Sequence, residues 1–482
     1  MKRILVLLSV VVLAYGANAA WSYNSSAKTI TDGTWVLNAA AISSGLELGT
    51  SEAAGSGFNS ANAGSGILDL TSFYEDTGYR IVSIRKNALR GKTSPITQFI
   101  APDVVSVGDY AFTDSSSLVN ISISQDVSSI KPSAFSGCKL LANIYPRVFN
   151  NLTVVPANLF SNCSSLEGEL SFPNATSVGN DAFNATTKLG RIVLNSSITS
   201  FGSQCFLKSG ITNLVPESYP NLTTIGSAAF NNASNLKGNF SFPSLTALGA
   251  QNTFVKAANI ESVSIPNVKD IPRASFQECR KLKFVEFHPG CTNIGVNAFN
   301  GCSVLERITA YIPDSCEAIG STAFTYCYKL AMPLRIANPA ITNLTAELFR
   351  ETAGAFSGPA EFYSPIAVVG SGCFRGTKRA QIYRFYGNKA PESFNKGAFD
   401  FALTPTPGVT SGIGVYIQVM KKSALEGWRA YCDSAYADNL STLIGYPGKK
   451  AIGVFVRSYG SRSNYNWIVD CAPPAGTMIT IL

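Results

Sequence analysis

The residues with the widest chemical range in this chain are eleven cysteines and a single histidine. Thiolates spaced Cys-x-x-Cys would hold zinc or run dithiol exchange, and no pair has that spacing. Cys138, Cys163, Cys279, Cys302 and Cys327 each stand three residues after a phenylalanine, while Cys205 and Cys373 stand immediately before one. Fixed offsets of this kind predict small buried thiols in a repeated turn rather than reactive groups. Cys291 and Cys316 share a third offset, eight residues before a phenylalanine. On adjacent turns their α-carbons would stand about 5 Å apart, within disulfide reach. Cys291–Cys316 is therefore a candidate bond, with buried free thiols as the other reading, and Cys432–Cys471 is a candidate staple near the carboxyl end. His288 lies beside the apolar run Phe284-Val285-Glu286-Phe287 and has no local partners for a metal site or a nucleophilic triad. The carboxylates form no repeated column, which argues against calcium-binding repeats, and Gly295 and Gly370 do not stand between a strand and a helix as a phosphate loop requires. No catalytic residue, metal ligand or cofactor is nominated.

One stretch has the chemistry of a ligand surface. Arg375, Lys378, Arg379, Arg384 and Lys389 follow one another without an intervening acid, and Tyr383, Phe385 and Tyr386 interleave with them. Positive charge combined with aromatic area attracts acidic proteins or glycans. Arg375, Lys378, Arg379, Tyr383, Arg384 and Tyr386 are the candidate binding residues; the competing reading is a solvated outer turn over packed aromatics.

What must position these residues is a repeat. A small residue and Phe, then polar residues, Leu and an apolar strand pattern recur along the chain. The anchors are Leu89, Phe112, Phe135, Phe160, Phe183, Phe206, Phe230, Phe254, Phe276, Phe299, Phe324, Phe349, Phe374 and Phe399, at steps of 22 to 25 residues. That period is too short for helical hairpins and falls in the leucine-rich-repeat range. Ile121 and Ile123 are spaced as on a short strand with one buried face, and Pro173, Pro243 and Pro266 follow such patterns and should end them. The expected fold is a solenoid of about fourteen irregular rungs, each with a short parallel strand. Asn151-Leu152-Thr153 returns as Asn221-Leu222-Thr223, and Ser171-Phe172-Pro173 as Ser241-Phe242-Pro243, which points to duplication of a three-rung block.

Met1-Lys2-Arg3, an apolar run from Ile4 to Ala14 and the small-x-small sequence Ala17-Asn18-Ala19 predict a signal peptide cut after Ala19. The formal charge of +8 falls by two when Lys2 and Arg3 leave with the leader. Few residues are charged, so the surface is built largely of Ser, Thr, Asn and Gly, unsuited to dense phosphate neutralisation. Nucleic acid is not an expected partner, and no later segment reads as a membrane span. Asn-x-Ser/Thr sequences at Asn151, Asn162, Asn184, Asn221 and Asn343 would matter only in a glycosylating route.

The recurring elements, Ile265-Pro266, Ile294-Gly295, Ala298-Phe299 and Gly301-Cys302 before Leu305, resemble the BspA-type leucine-rich repeats (TpLRR-type) of bacterial surface proteins. The resemblance covers about residues 80–400, and the stretch from Tyr416 to Trp428 is similar to the terminal rung and short helix that often end such repeats. It implies an exported scaffold, some relatives being adhesins, and no shared ligand residue. The expected organisation is a signal peptide over 1–19, an amino-terminal cap over 20–79, repeats over 80–400 and a carboxyl cap or small appended domain over 401–482. In that last segment Gly414 to Ile417 and Ala451 to Val456 have strand patterns, and Ser423 to Ala437 has helical spacing.

The functional expectation is a non-enzymatic, exported scaffold for extracellular protein or glycan recognition, secreted, periplasmic or cell-surface associated, with adhesion as its role. A structural envelope or matrix protein without a discrete ligand is the alternative, and an enzyme with a site in the carboxyl region is a third reading.

Overall fold

The computed structural model describes residues 20–62, 64–91, 95–309, 311–352, 356–377, 382–389, 391–394, 415–419 and 442–445. The chain winds into a β-solenoid of about 13 parallel-stranded turns. Each turn has three sides: a longer strand, a two-residue strand, and a turn carrying the anchor phenylalanine.

The longer strands stack into ladders. Gly66–Asp69, Ile96–Ala101, Asn120–Ile123 and Asn143–Tyr145 form the first, and Gly168–Ser171, Leu189–Val193 and Asn213–Val215 the second. Lys237–Ser241, Asn259–Ile265, Phe284–Phe287 and Arg307–Ile308 follow; Arg335–Ile336, Ala360–Phe362, Ile382–Phe385, Val415–Val419 and Thr442–Gly445 complete the series. Single bridges, Val148 to Ser171 and Ser218 to Ser241, cross the first two seams, one at the same place in each copy of the duplicated block. Alternation along these strands sends every second side chain inward, as in Asn259–Ile265, where Val263 and Ile265 are buried and Ser262 and Ser264 are not. That strand stops at Pro266, which has no amide hydrogen to extend it.

The third side is held by the anchors. Phe112, Phe135, Phe160, Phe183, Phe206, Phe230, Phe254, Phe276, Phe299, Phe324, Phe349 and Phe374 are all buried. They form one column, with successive ring centroids 5.1 to 6.0 Å apart and near-parallel planes. Each rung alone exposes its ring faces; its neighbour covers them, so burial is shared along the whole stack. Phe99 closes the amino end of the column edge-on at 5.1 Å from Phe112. The turn backbone is laddered as well. Asp181, Phe183 and Ala185 donate their N–H groups to the carbonyls of Ser203, Cys205 and Leu207 on the next rung, and the same offsets repeat down the chain. Aiming alternate amides the same way requires left-handed residues two before and two after the anchor, such as Asp181 at φ 54° and Ala185 at φ 57°.

The position three residues after each anchor is small and buried. Cys138 Sγ donates to Phe112 O, Cys163 to Phe135 O, Cys279 to Phe254 O, Cys302 to Phe276 O and Cys327 to Phe299 O, at 3.0 to 3.2 Å. Ser115 does the same to Leu89 O. These thiols are free, as the repeat column predicts. Cys291 and Cys316 are also free and buried, so the candidate bond between them does not form. Each thiol instead meets the carbonyl two residues on, at the start of the strand that follows it, Asn293 O and Ala318 O, both at 3.3 Å.

At the amino end Ser22–Asn24, Thr29–Thr31, Val36–Ile42 and Gly45–Leu48 run antiparallel, and the last of these pairs parallel with Ile81–Ile84 to start the second ladder side. Trp21 and Trp35 are buried here. Parallel stacking therefore begins at Gly45, inside the segment expected to act as a cap. Val415–Val419 supplies the strand expected near 414–417. Phe399, Cys432, Cys471 and the patterns over 423–437 and 451–456 lie outside the described residues.

Candidate recognition surface

The outward face of the long-strand ladder is the surface on which side chains are brought into register from distant parts of the sequence. In its last section Arg335, Glu361 and Arg384 are directly paired neighbours on three adjacent strands. Arg335 is paired with Asp314, and Arg384 Nη1 reaches Glu361 Oε1 at 3.3 Å. The next outward row carries Tyr363 and Tyr386, stacked with centroids 4.1 Å apart and planes 11° from parallel. Both hydroxyls donate to the Glu361 carboxylate, at 3.2 and 3.0 Å. The Arg335 guanidinium lies over the Tyr363 ring, 5.1 Å from its centroid. Loss of water, together with the hydroxyl contacts to Tyr363 and Glu361, holds the Tyr386 phenol above its ordinary pKa. The hydrogen bond that Arg335 donates to the Asp314 carboxylate likewise raises the Arg335 pKa. These groups are thus held in fixed positions by one another, while Tyr363 stays 41% exposed.

The structure divides the sequence cluster that was expected to form one patch. Arg384 and Tyr386 face outward on the ladder. Tyr383, a candidate ligand residue, does not: it is buried, its hydroxyl lies 2.8 Å from Thr377 Oγ1, and its ring packs on Phe374. The correction follows from strand parity, because Tyr383 and Phe385 take the inward positions that leave Arg384 and Tyr386 outside. Arg375 belongs to the turn after Phe374, on a different side of the coil. Lys378 and Arg379 lie outside the described residues. Asp314, Arg335, Glu361 and Tyr363 were missed because they lie 20 to 70 residues upstream; superposing the rungs so that Phe362 matched Phe385 would have aligned Glu361 with Arg384 and Tyr363 with Tyr386.

The first section of the same face is different. Gln98, Asn120 and Asn143 stand in one row, and Ile100, Ser122 and Tyr145 in the next. Tyr145 is 53% exposed. Among the described residues no group of three or more His, Cys, Asp or Glu side chains could hold a metal ion, and His288 Nδ1 accepts from the Gly290 amide at 2.8 Å. Among those residues no helix is long and apolar enough to cross a membrane.

The architecture is that of a leucine-rich-repeat solenoid, a class whose exposed ladder suits it to binding other molecules. The model of the BspA type leucine rich repeat region matches residues 82–212, 153–265, 212–331 and 249–381, together more than half of the chain. The chain belongs to that family. It is similar to a leucine rich cell surface protein from Faecalibacterium prausnitzii, with 21% identity, 68% of this chain and 95% of that one covered, and a TM-score of 0.37. A leucine-rich repeat protein from Bacteroides ovatus shows 17% identity, 72% and 98% coverage and a TM-score of 0.41. The leucine rich repeat protein of T. pallidum shows 25% identity, 34% and 78% coverage and a TM-score of 0.30. No curated protein matches the chain.

Proposed function

We propose that this protein is an exported, non-catalytic recognition scaffold that presents the outward face of its long-strand ladder to an extracellular protein or glycan, with cell-surface adhesion as its role. The observation that carries this reading is the in-register group of Arg335, Glu361, Arg384, Tyr363 and Tyr386, held by mutual contacts on an open sheet face. Tyrosine and arginine dominate the energetics of binding interfaces, and their rotamers are already restricted here, which lowers the entropy lost on binding. The basic, apolar and small-x-small segments at the start of the chain support export.

The test is saturable binding of the purified chain to immobilised matrix proteins, mucins and polysaccharides, repeated with the double variant Tyr363→Ala, Arg384→Glu. Binding to at least one component that drops by about tenfold or more, the effect of losing ~1.4 kcal/mol, supports the reading. No saturable binding, or binding that the variant leaves unchanged, refutes it. Intact mass of the exported chain should place its first residue at Ala20.

A further inference from the structure

We propose a distinct subsite on the first section of the ladder face, built by Tyr145 with the row Gln98, Asn120 and Asn143, that binds a neutral oligosaccharide. The inference rests on the ladder face being the ligand surface and names one class of ligand for a part of it that the tyrosine–arginine group does not reach.

Three observations carry it. The first is Tyr145 itself. At 53% exposure it is the most exposed large hydrophobic side chain among the described residues. Every other outward tyrosine of the ladder described above is stacked or bonded, whereas Tyr145 has no ring contact and no side-chain hydrogen bond within the described residues. Its neighbour in the row is Ser122, which is small and leaves the ring accessible from the ladder side.

The second is the amide row. Gln98, Asn120 and Asn143 are paired neighbours on three strands. Asn143 Nδ2 donates to Asn120 Oδ1 at 3.0 Å, and Arg147 Nη2 donates to Asn143 Oδ1 at 2.8 Å. The chain of contacts fixes the orientation of the Asn143 and Asn120 amides and leaves Gln98 and the Asn120 Nδ2 group open to a ligand. Three strands at ~4.8 Å spacing spread these amides over about 10 Å, the span of a short oligosaccharide. A primary amide both donates and accepts, which is the pattern sugar hydroxyls present in return.

The third is charge. The four strands Gly66–Asp69, Ile96–Ala101, Asn120–Ile123 and Asn143–Tyr145 contain no lysine, arginine or glutamate. Asp69, at the far edge, is already bonded to the amide and hydroxyl of Thr71. Arg147, behind the row, is held by Glu167 O at 2.6 Å as well as by Asn143. The later sections pair arginine with glutamate at the same positions, as in Glu169 with Arg191. With one carboxylate, Asp69, at one edge and one guanidinium, Arg147, at the other, the strip has no excess of positive charge to favour an anionic glycan. It does suit an uncharged sugar, whose C–H face covers an aromatic ring while its hydroxyls meet amides.

The experiment uses saturation-transfer NMR on the mature full-length chain with four neutral tetrasaccharides, built from glucose, mannose, galactose and N-acetylglucosamine, and a sulfated tetrasaccharide as the charged probe. The expected result is transfer to ring C–H protons of at least one neutral probe, unaffected when salt rises from roughly 50 to 500 mM because no ion pair is involved. Tyr145→Ala should weaken that binding by about tenfold or more, the loss of ~1.4 kcal/mol. Tyr145→Phe should retain it, and Asn120→Asp should weaken it. Tyr145 is exposed, so the alanine variant should keep the wild-type melting temperature. Absence of transfer to every neutral probe overturns the subsite, as does transfer that Tyr145→Ala leaves unchanged. Binding of the sulfated probe alone also overturns it. Neutral-sugar binding lost in Tyr363→Ala but not in Tyr145→Ala would sink the subsite and leave the broader recognition reading standing; failure of both variants to affect any ligand would sink both.

Discussion

Replacing Phe230 by alanine should open the solenoid locally. The Phe230 ring lies 5.3 Å from Phe206 and 5.1 Å from Phe254 in the stack, and Phe201 meets it edge-on at 5.7 Å. Truncating a fully buried phenylalanine costs roughly 3–5 kcal/mol, cavity included. Three ring contacts are lost at once, so the upper half of that range applies, about 4–5 kcal/mol. In a stacked repeat the cost falls on the mutated rung and its two interfaces rather than on the whole chain. A penalty of about 4 kcal/mol multiplies the population of the open rung by roughly a thousand. Native-state hydrogen exchange followed by mass spectrometry reads this directly. The amides of Phe206 and Phe230, which donate to Ala229 O and Thr253 O, should exchange about a thousandfold faster. The amides of Phe112 and Phe349 should keep wild-type rates. Equal acceleration over all rungs would refute the nearest-neighbour reasoning, and no acceleration around residue 230 would refute the shared burial of the column.

Tyr219→Phe should leave stability unchanged or raise it by up to ~1–3 kcal/mol, since the hydroxyl is buried without a partner and Phe149 fills the same place in the other copy of the duplicated block; a lower urea midpoint would contradict this. Gly320→Ala should destabilise by roughly 1–3 kcal/mol, because a Cβ there would meet Val296 N at 2.2 Å, and a smaller change in midpoint than for Gly190→Ala, whose Cβ would stand 3.3 Å from Gly168 O, would count against it. Burial pushes the Cys291 thiol up to about 11 and the Cys138 and Cys316 thiols up to about 12. Their unfolded-state pKa is about 8.5, so the unfolded chain loses these protons first; stability from these groups is full below that pH and is lost as pH rises toward 12. Urea midpoints should therefore fall steadily above about pH 9, and a flat profile to pH 11 would refute thiol burial. At pH 8 an alkylating reagent should leave Cys138, Cys163, Cys279, Cys302 and Cys327 unmodified until denaturant is added.

Much of the fold was visible in the residues because the stack repeats a local rule. Phenylalanine needs a ring above and below, the residue three later must be small, and strands alternate; each demand recurs at a fixed offset, so Phe183 or Cys302 can be placed from its own rung. The surface was harder. Linear neighbours such as Tyr383 and Arg384 point to opposite sides, whereas Arg335, Glu361 and Arg384 touch only because complete coils separate them. A run of basic residues therefore suggested one patch where parity makes two environments. Cys291 and Cys316 show the same limit from the inside: equal offsets bring two thiols to neighbouring rungs, but the direction of each Sγ depends on which carbonyl is near, and each meets one two residues on in its own rung.

The turn-side hydrogen bonds have a further consequence. From Asp114 to Glu351 the donations at each anchor and its flanks all run from a rung to the one after it. Peptide dipoles on that edge therefore add along the coil axis instead of cancelling, much as they do in a helix. That edge alone has a polarity, with oxygen shown at its first turn and hydrogen at its last; on the two-residue-strand side donations run the other way, as from Gly179 to Val155 O and from Gly202 to Val178 O. The last rung of such a stack has turn amides with no further rung to accept them, so water or a segment of different design must. Lengthening such a chain is simple in the middle, by inserting blocks like the duplicated one, because each inserted rung meets an acceptor edge on one side and a donor edge on the other.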